Sequence, residues 1–484
     1  MNARRPSRGP HSTHRREPAR PAGKAGPRGD PARRVDSARR AAYEAIAAVH
    51  RDDAYANIAL PRLLREHRVV GRDAALATEL TYGTLRSVGQ LDAIIASAAG
   101  RPMARIDPPV RDALRLGAYQ LLYTRVPTHA AVATTVDLVR LVAAGAAGFA
   151  NAVLRRIAEQ DLDAWLAAVA PPMADDGVGH LAVVHAHPEW IVRALLESLG
   201  GDLAELERAL AANNERPIVH LCARPGRTTA ADLAAETGGE PGRYSPYAVY
   251  LRQGSPGEID AVAQGRAHVQ DEGSQVVALA LAQAPLAGPD SRWLDLCAGP
   301  GGKAALLGGL AAERGAHLTA VEVAEHRARL VEDAVRGMPA RVVCADGRTV
   351  GAHPDLPAAG FDRVLVDAPC TGLGSLRRRP ESRWRRQVTD LPPLTKLQRE
   401  LLGAALRAVR PGGLVAYVTC SPHVVETEVT VREAVRRAES TVEVLDARPA
   451  LPAGMPELGD GPAVQLWPHR HGTDAMYLAL LRRQ

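Results

Sequence analysis

The sequence is poor in lysine and lacks long apolar runs. It contains three lysines, Lys24, Lys303 and Lys396, against 57 arginines in 484 residues. No run of about 18 apolar residues is evident, and the N-terminus is rich in Arg and Pro without an apolar segment behind it, which argues against a membrane span and a secretory signal. We therefore expect a cytoplasmic protein with no membrane partner.

Cysteine is also scarce, and its spacing excludes two common uses. The five cysteines are odd in number, lie far apart and contain no C-x-x-C pair. This pattern argues against a disulfide framework and against a zinc site, so we expect reduced thiols and no metal. The cysteines are Cys222, Cys297, Cys344, Cys370 and Cys420.

The positive charge is concentrated at the N-terminus. Residues 1–40 contain twelve Arg or Lys and three acidic residues, so the rest of the chain carries −3 of the total charge of +6. Residues 1–35 are rich in Pro, Gly and Arg, a composition that predicts a disordered basic arm. Such an arm either holds nucleic acid through phosphate contacts or is only a solvated extension.

Apolar periodicity divides the remaining chain into three domains. Residues 36–165 predict helices only, with Asp36 and Thr128 placed to cap two of them. Residues 161–180 read as a linker, and residues 180–265 predict a small mixed α/β domain with short strands near 218–223 and 248–251. From residue 266 to 484, strands alternate with helices, which predicts a Rossmann-like, doubly wound, mostly parallel sheet of seven strands. These strands are expected near 292–296, 318–323, 341–344, 363–366, 413–419, 442–445 and 476–481.

A glycine-rich turn follows the first of these strands. In Trp-Leu-Asp-Leu-Cys-Ala-Gly-Pro-Gly-Gly-Lys, residues 293–303, the glycines Gly299, Gly301 and Gly302 allow a tight turn and close approach to a ligand. A phosphate-binding P-loop is excluded, because Cys297 stands where its first Gly belongs and Lys303 is not followed by Ser or Thr. In a chain that otherwise uses Arg, Lys303 indicates a need for a compact ammonium.

Acids and a thiol follow later strands of the predicted sheet. Glu322 lies 27 residues after Asp295, at the end of the second strand, where an acid can accept both hydroxyls of a ribose. Asp346 follows the third strand and is placed to face an adenine edge, while Asp367 and Cys420 follow the fourth and fifth. Without a pyrophosphate cradle, this nucleoside site fits S-adenosylmethionine better than NAD.

Two cysteines follow neighbouring strands, in Asp367-Ala-Pro-Cys370 and Thr419-Cys420-Ser421. Pyrimidine C5 is a poor nucleophile until a thiolate adds at C6 and turns the ring into an enamine, and two thiols at one site suit that chemistry. Methylation of an exocyclic amine uses an aromatic residue where Cys370 stands. Either cysteine alone would more simply be a small buried apolar residue, the reading kept for Cys222, Cys297 and Cys344.

These motifs resemble the NOL/NOP/Sun family of RNA cytosine-C5 methyltransferases, which have the class I methyltransferase fold. Stretches at 81–86, 114–123 and 148–156 resemble the NusB family of RNA-binding domains, so residues 36–484 as a whole resemble the Sun/Fmu-type members with that domain in front. The resemblance implies S-adenosylmethionine as cofactor and a single-stranded or loop region of 16S ribosomal RNA as partner. It gives no reason to expect an obligate dimer, so a monomer is expected.

The resemblance also implies roles for individual residues. Cys420 would be the nucleophile that adds to C6, Cys370 would assist product release, and Asp367 would hydrogen-bond the cytosine edge close to the cofactor. Arg327 would steady the ribose side. The methionine end of the cofactor would be held by Cys297, Ala298, Gly299, Pro300, Gly301, Gly302 and Lys303.

An arginine-rich segment, 376–387, lies between the fourth strand and the next helix. It holds six arginines and Trp384, and reads either as a phosphate clamp with a stacking partner or as a solvated basic loop. Three other functions stay open: the same chemistry on tRNA, DNA-type methylation with Cys370 as the nucleophile, and a non-catalytic RNA-binding factor.

Overall fold

The computed structural model describes residues 35–254 and 256–484, so the basic arm expected over 1–35 lies outside the described residues except for Val35. The first part of the chain forms eight helices. Asp36 accepts a hydrogen bond from the Arg39 amide at 2.9 Å and so caps the first helix as expected. Thr128 is not a cap, because Pro127 takes that position and Thr128 begins the helix. The helices are α1 (Ser37–Arg51), α2 (Ala56–Glu66), α3 (Gly71–Arg86), α4 (Val88–Ala99), α5 (Pro108–Tyr123), α6 (Thr128–Ala143), α7 (Ala147–Ile157) and α8 (Leu162–Val169).

One helical stretch of this part is apolar. Among the described residues, Thr128–Ile157 alone is long and apolar enough to cross a membrane by length and composition. It is not an unbroken apolar run in the sequence, because Asp137 and Arg140 interrupt the apolar residues. Val136 and Leu154 from this stretch pack in the core of the helical domain.

The expected linker over 161–180 is folded. It contains α8 and the start of α9 (Gly177–Val184), and the Trp165 indole, 5% exposed, donates to the Ile157 carbonyl at 2.9 Å. Two further helices, α10 (Glu189–Ser198) and α11 (Leu203–Asn214), lead into the small mixed domain.

The small domain is an antiparallel sheet with two short helices. Its strand order is β2-β3-β1-β4, and the strands expected near 218–223 and 248–251 are confirmed as β1 and β3. The edge strands β2 and β4 are too short for a sequence pattern. The elements are β1 (Val219–Ala223), α12 (Ala230–Thr237), β2 (Glu240–Pro241), β3 (Ala248–Leu251), α13 (Asp260–Ala263) and β4 (Ala267–Val269).

The last part of the chain is a doubly wound sheet, as expected. All seven predicted strands are present in the order β10-β12-β9-β8-β5-β6-β7, and a two-residue strand that the sequence did not predict pairs with β12, which makes eight. The strands are β5 (Arg292–Asp295), β6 (His317–Glu322), β7 (Ala340–Cys344), β8 (Phe361–Asp367), β9 (Val409–Thr419), β10 (Val442–Leu445), β11 (Val464–Gln465) and β12 (Tyr477–Arg483).

Helices cover both faces of this sheet. One face packs on α14 (Glu272–Gln283) and α15 (Gly302–Glu313) around Trp293, and the other on α18 (Leu391–Ala408) around Tyr417. Strands β7, β6, β5, β8 and β9 are parallel, whereas β12 is antiparallel to β9. The helices are α14 (Glu272–Gln283), α15 (Gly302–Glu313), α16 (Glu325–Val335), α17 (Ser382–Arg385), α18 (Leu391–Ala408), α19 (Glu428–Arg437) and α20 (Pro468–His471).

The arginine-rich segment joins the three domains. Arg383 is fully buried, and burial together with the nearby Arg86 lowers its pKa to about 9, so it stays cationic at neutral pH. Its guanidinium donates to Asn213 O and Asn214 Oδ1 at 2.7 Å, to Arg86 O at 3.2 Å and to Ala186 O at 3.3 Å. One side chain therefore connects a loop of the doubly wound sheet to the end of α3, the residues after α9 and the end of α11.

The phosphate-clamp reading of segment 376–387 is wrong for its buried arginines. Arg378 pairs with Asp271 at 2.6 Å and with Asp474 at 3.0 Å, and the side chain of Arg377 is 6% exposed. Trp384 packs against Gly89, where a Cβ would come within 2.6 Å of the indole ring. These groups contact protein carbonyls, carboxylates and backbone, so they are not free to bind phosphates or stack on a base.

Candidate active site at the strand ends

The carboxyl ends of five parallel strands meet at one edge of the sheet, and most of the predicted site residues lie there. Asp295 ends β5, Glu322 ends β6 and Asp367 ends β8, while Cys420 directly follows β9. Ligands bind at this edge in open α/β sheets. The placement follows from parallel pairing, which brings the ends of β5, β6, β8 and β9 side by side.

The glycine turn 297–302 connects β5 to α15 and passes close to Glu322. Gly301 precedes the helix with φ of 110°, a left-handed conformation that favours glycine. A Cβ on Gly299 would lie 2.0 Å from Glu322 Oε2, so an alanine there would displace that carboxylate. Glycine lets the Gly299 amide donate to Glu322 Oε2 at 3.1 Å. Cys297, Ala298 and Pro300 complete the turn, and Ala298 N donates to Val321 O at 2.8 Å.

Glu322 and Arg327 brace this turn from the second strand. Glu322 is 5% exposed and also accepts from the Ala324 amide at 3.0 Å. Arg327 donates to the Gly299 carbonyl at 2.6 Å and lies 3.6 Å from Glu322 Oε2. The two side chains predicted for the ribose side therefore lie together beside Gly299.

The Asp346 carboxylate already has a partner, which the sequence did not predict. Asp346 follows β7 as expected, yet both carboxylate oxygens accept from Arg348, Oδ2 from Nη2 at 2.6 Å and Oδ1 from Nε at 3.0 Å. These hydrogen bonds lower the pKa of Asp346. Arg348 also pairs with Glu400 at 2.8 Å. An adenine amino group would therefore share this carboxylate with a guanidinium.

Lys303 and Asp367 form an ion pair at the centre of the site. Lys303 Nζ donates to Asp367 Oδ2 at 2.8 Å, and the two side chains are 10% and 29% exposed. Burial disfavours the ammonium, but the Asp367 carboxylate outweighs it and raises the pKa of Lys303. The lysine expected to be selected for its compact charge thus contacts the acid that follows the fourth strand.

Asp295 lies beneath the turn as a carboxyl group held out of water. It is fully buried, accepts from the Cys297 amide at 3.3 Å, and its Oδ2 has no hydrogen-bond partner among the described residues. Burial and the nearby charge of Asp367 raise its pKa to about 7. A titrating group therefore lies below the Lys303–Asp367 pair.

Cys370 and Cys420 face each other. Their sulfur atoms are 3.4 Å apart, and both thiols are partly buried. The hydrogen bond from Cys370 lowers the pKa of Cys420, with Lys303 acting in the same direction, whereas the same contact and burial raise the pKa of Cys370. The pair therefore favours a thiolate on Cys420 and a neutral thiol on Cys370.

A buried glutamate that the sequence reasoning missed fixes the two cysteine loops. Glu426 is fully buried and accepts from the Thr371 amide at 2.8 Å and from Gln398 Nε2 at 3.0 Å. Thr371 Oγ1 also contacts Glu426 and lies 3.1 Å from Ser421 Oγ. Glu426 thus holds Thr371, which follows Cys370, and the Thr371 hydroxyl links it to Ser421, which follows Cys420. The sequence gave no indication of this role, because nothing in it distinguishes the buried Glu426 from the exposed Glu428.

Comparisons with known proteins identify relatives of the chain. The family model for 16S rRNA methyltransferase RsmB/F matches residues 282–482, and the NusB family model matches residues 36–159. A Mycobacterium tuberculosis protein named as a methyltransferase, Rv1407, is 56% identical over 94% of this chain and 98% of its own length. Ribosomal RNA small subunit methyltransferase B of Erwinia tasmaniensis is 33% identical over 85% of this chain and 91% of its own. The crystal structure of PH0851 has the same fold, with a TM-score of 0.76 at 24% identity over 92% of this chain and 98% of that one.

Proposed function

Because the chain belongs to the RsmB/F family of 16S rRNA methyltransferases and carries a NusB domain, we propose that it methylates C5 of a cytosine in 16S ribosomal RNA. The methyl donor is S-adenosylmethionine, and the reaction passes through a covalent bond between Cys420 and cytosine C6. The observation that carries the proposal is the pair of thiols at 3.4 Å beside Lys303 and Asp367.

Cys420 starts the reaction as a thiolate. Its sulfur bonds to C6, and the π electrons of the C5–C6 double bond shift to C5 and on toward N3, so that the ring becomes an enamine with a nucleophilic C5. Asp367 hydrogen-bonds the cytosine edge, and polarisation or protonation of the ring there favours this addition. Lys303 lowers the pKa of Cys420 and pairs with Asp367, so one ammonium supports both groups.

Cys370 acts in product release. Its pKa is raised first by its contact with Cys420, so it holds its proton in the resting site. Once the Cys420 sulfur is bonded to C6 it carries no negative charge, and that cause disappears. After C5 has bonded to the methyl group, Cys370 gives its own proton to solvent and, as a thiolate, takes the proton from C5. The C5–H electron pair re-forms the C5–C6 double bond, the C6–S bond breaks, and Cys420 leaves as a thiolate.

The residues at the strand ends fit S-adenosylmethionine, which when bound supplies an electrophilic methyl group. Gly301 is left-handed and Gly299 lies close to Glu322, so the backbone of this turn can make contacts with a ligand. We assign the turn 297–302 and Lys303 to the methionine end, Glu322 and Arg327 to the ribose, and Asp346 to the adenine edge.

The form of the RNA substrate follows from the position of the target cytosine in a base stack. A cytosine must leave its stack to reach Cys420, so a single-stranded or loop region of 16S RNA is the expected substrate form. The NusB domain favours ribosomal RNA over tRNA, and we expect one copy of the chain to act as a monomer.

The experiment that tests the function uses 16S RNA that contains 5-fluorocytosine, together with labelled S-adenosylmethionine. Fluorine at C5 blocks the final elimination, so the wild type should form an RNA adduct that survives denaturation. Cys420→Ala should form none, Cys370→Ala should still form one, and Cys344→Ala, at an exposed thiol that takes no part in the proposed reaction, should behave as wild type.

Four outcomes would contradict parts of the proposal. Methyl transfer to ordinary RNA without any adduct means that the methyl group goes to another atom. An adduct lost in Cys370→Ala but kept in Cys420→Ala means that the nucleophile is Cys370. An adduct with tRNA and none with 16S RNA means that the substrate is tRNA. If the protein neither transfers a methyl group nor binds the ligand, it is a non-catalytic RNA-binding factor.

A further inference from the structure

The small mixed domain places a glutamine against the start of α15. Gln270 directly follows β4, is 7% exposed, and packs near Gly302, the first residue of that helix. A Cβ built on Gly302 would lie 3.6 Å from Gln270 Nε2 and 3.8 Å from His268 Nε2. Two polar side chains of this domain therefore face the end of the glycine turn.

The Gln270 amide is oriented with an unused donor. Its Oε1 lies 3.0 Å from His268 Nε2, and burial lowers the pKa of His268 to about 4, so the ring is neutral. Because Oε1 can only accept, this contact selects the tautomer with the proton on Nε2. Gln270 Nε2 then has no hydrogen-bond partner within the described residues. A buried amide left unpaired is unfavourable, which points to a ligand that accepts this hydrogen bond.

The start of α15 has donors of its own. Its first amides have no partner inside the helix, and Gly301 at the N-cap position has no side chain to satisfy them. The helix is 12 residues long, so its dipole also favours a negative group at this end. An orphan amide and a helix N-terminus that converge on one point suit a carboxylate.

We propose that Gln270 Nε2 donates to the carboxylate of the methionine moiety of S-adenosylmethionine at the start of α15. The small domain is then part of the cofactor site, with His268 as a positioning residue that orients the amide. This inference rests on the proposed function, since it assumes that methyl donor.

The test measures ligand affinity in the full chain without RNA. S-adenosylhomocysteine carries the methionine-derived carboxylate, and methylthioadenosine lacks the amino-acid end, so calorimetric titration with both isolates the carboxylate contact. Gln270→Ala should weaken S-adenosylhomocysteine binding about 10-fold and leave methylthioadenosine unchanged. Gln270→Glu should weaken it further, because it brings a like charge to the carboxylate.

Gln264→Ala is the matched control, since Gln264 lies three residues before β4 and is exposed. It should bind both ligands as the wild type does. The backbone bonds of Gln270 to His220 and to Gln275 do not use its side chain, and retained methylthioadenosine binding shows that the site is folded. Unchanged S-adenosylhomocysteine affinity in Gln270→Ala, or an equal loss of both ligands, would overturn the inference alone. Wild-type protein that binds neither ligand would instead refute the proposed function.

Discussion

Replacing Cys370 by alanine tests whether this thiol activates its neighbour. The substitution removes the donor 3.4 Å from Cys420, which is the first cause of the lowered pKa of Cys420. A hydrogen bond to an ionised acceptor contributes about 1.5 kcal/mol at the lower end, the relevant end because a thiol is a weak donor. About 1.4 kcal/mol corresponds to a factor of ten, so the thiolate population of Cys420 near neutral pH should fall roughly tenfold.

Alkylation by iodoacetamide, followed peptide by peptide with mass spectrometry between pH 6 and 9, measures this population. Cys420 in Cys370→Ala should react roughly tenfold more slowly at pH 7, and its rate profile should move to higher pH because the thiolate then forms later. Cys370→Ser keeps a hydroxyl donor and should fall between the two. Cys344, which is exposed, serves as an internal reference whose rate should not change.

The reasoning would be refuted if Cys420 in Cys370→Ala reacted as fast as in the wild type while Cys344 stayed constant. Lys303 would then be the group that activates Cys420, since its ammonium also lowers the pKa of Cys420. A faster reaction would mean that Cys370 hinders access to the sulfur more than it stabilises the thiolate.

Three further predictions concern buried polar groups. The pKa of Asp295 is about 7 in the folded protein against an ordinary 3.8, so the folded state should lose stability as pH rises between these values, by roughly 4 kcal/mol at most. Asp295→Asn should remove this loss. Equal melting temperatures for the wild type and Asp295→Asn from pH 4 to 8 would contradict the prediction. Glu426→Ala leaves the Thr371 amide unpaired and should slow methyl transfer roughly 100-fold, whereas Glu426→Gln keeps an acceptor and should be far milder; equal rates would exclude a positioning role. Arg383→Met leaves buried carbonyls without donors and should lower the free energy of unfolding by at least about 2 kcal/mol. The melting temperature should fall, and trypsin should cleave between the domains faster. An unchanged melting temperature would show that these contacts of Arg383 do not stabilise the protein.

The strand ends could be predicted because parallel pairing converts sequence spacing into proximity. Glu322, Asp367 and Cys420 each follow an apolar strand, and neighbouring parallel strands bring their ends to one edge. The nearness of Cys370 to Cys420 follows in the same way, since β8 and β9 are adjacent. Their roles stay predictions until the adduct is measured.

Contacts between domains could not be read from the sequence. A run of arginines looks solvated or basic whatever it contacts, and only the fold shows that Arg383 ends among carbonyls from three other segments. Gln270 is hidden for a related reason, because its partner helix begins 32 residues later in another domain. Glu426 differs from Glu428 only in the direction its side chain takes.

The arginine junction has a consequence for how this protein can be divided by recombination. A catalytic domain cut free before residue 266 would leave Arg383 without Asn213, Ala186 and Arg86, exposing a cation and apolar surface shaped for another domain. Gene fusions that exchange the NusB domain would need to replace segment 376–387 with it. The contacts that attach the other domains are therefore made by residues of the catalytic domain itself.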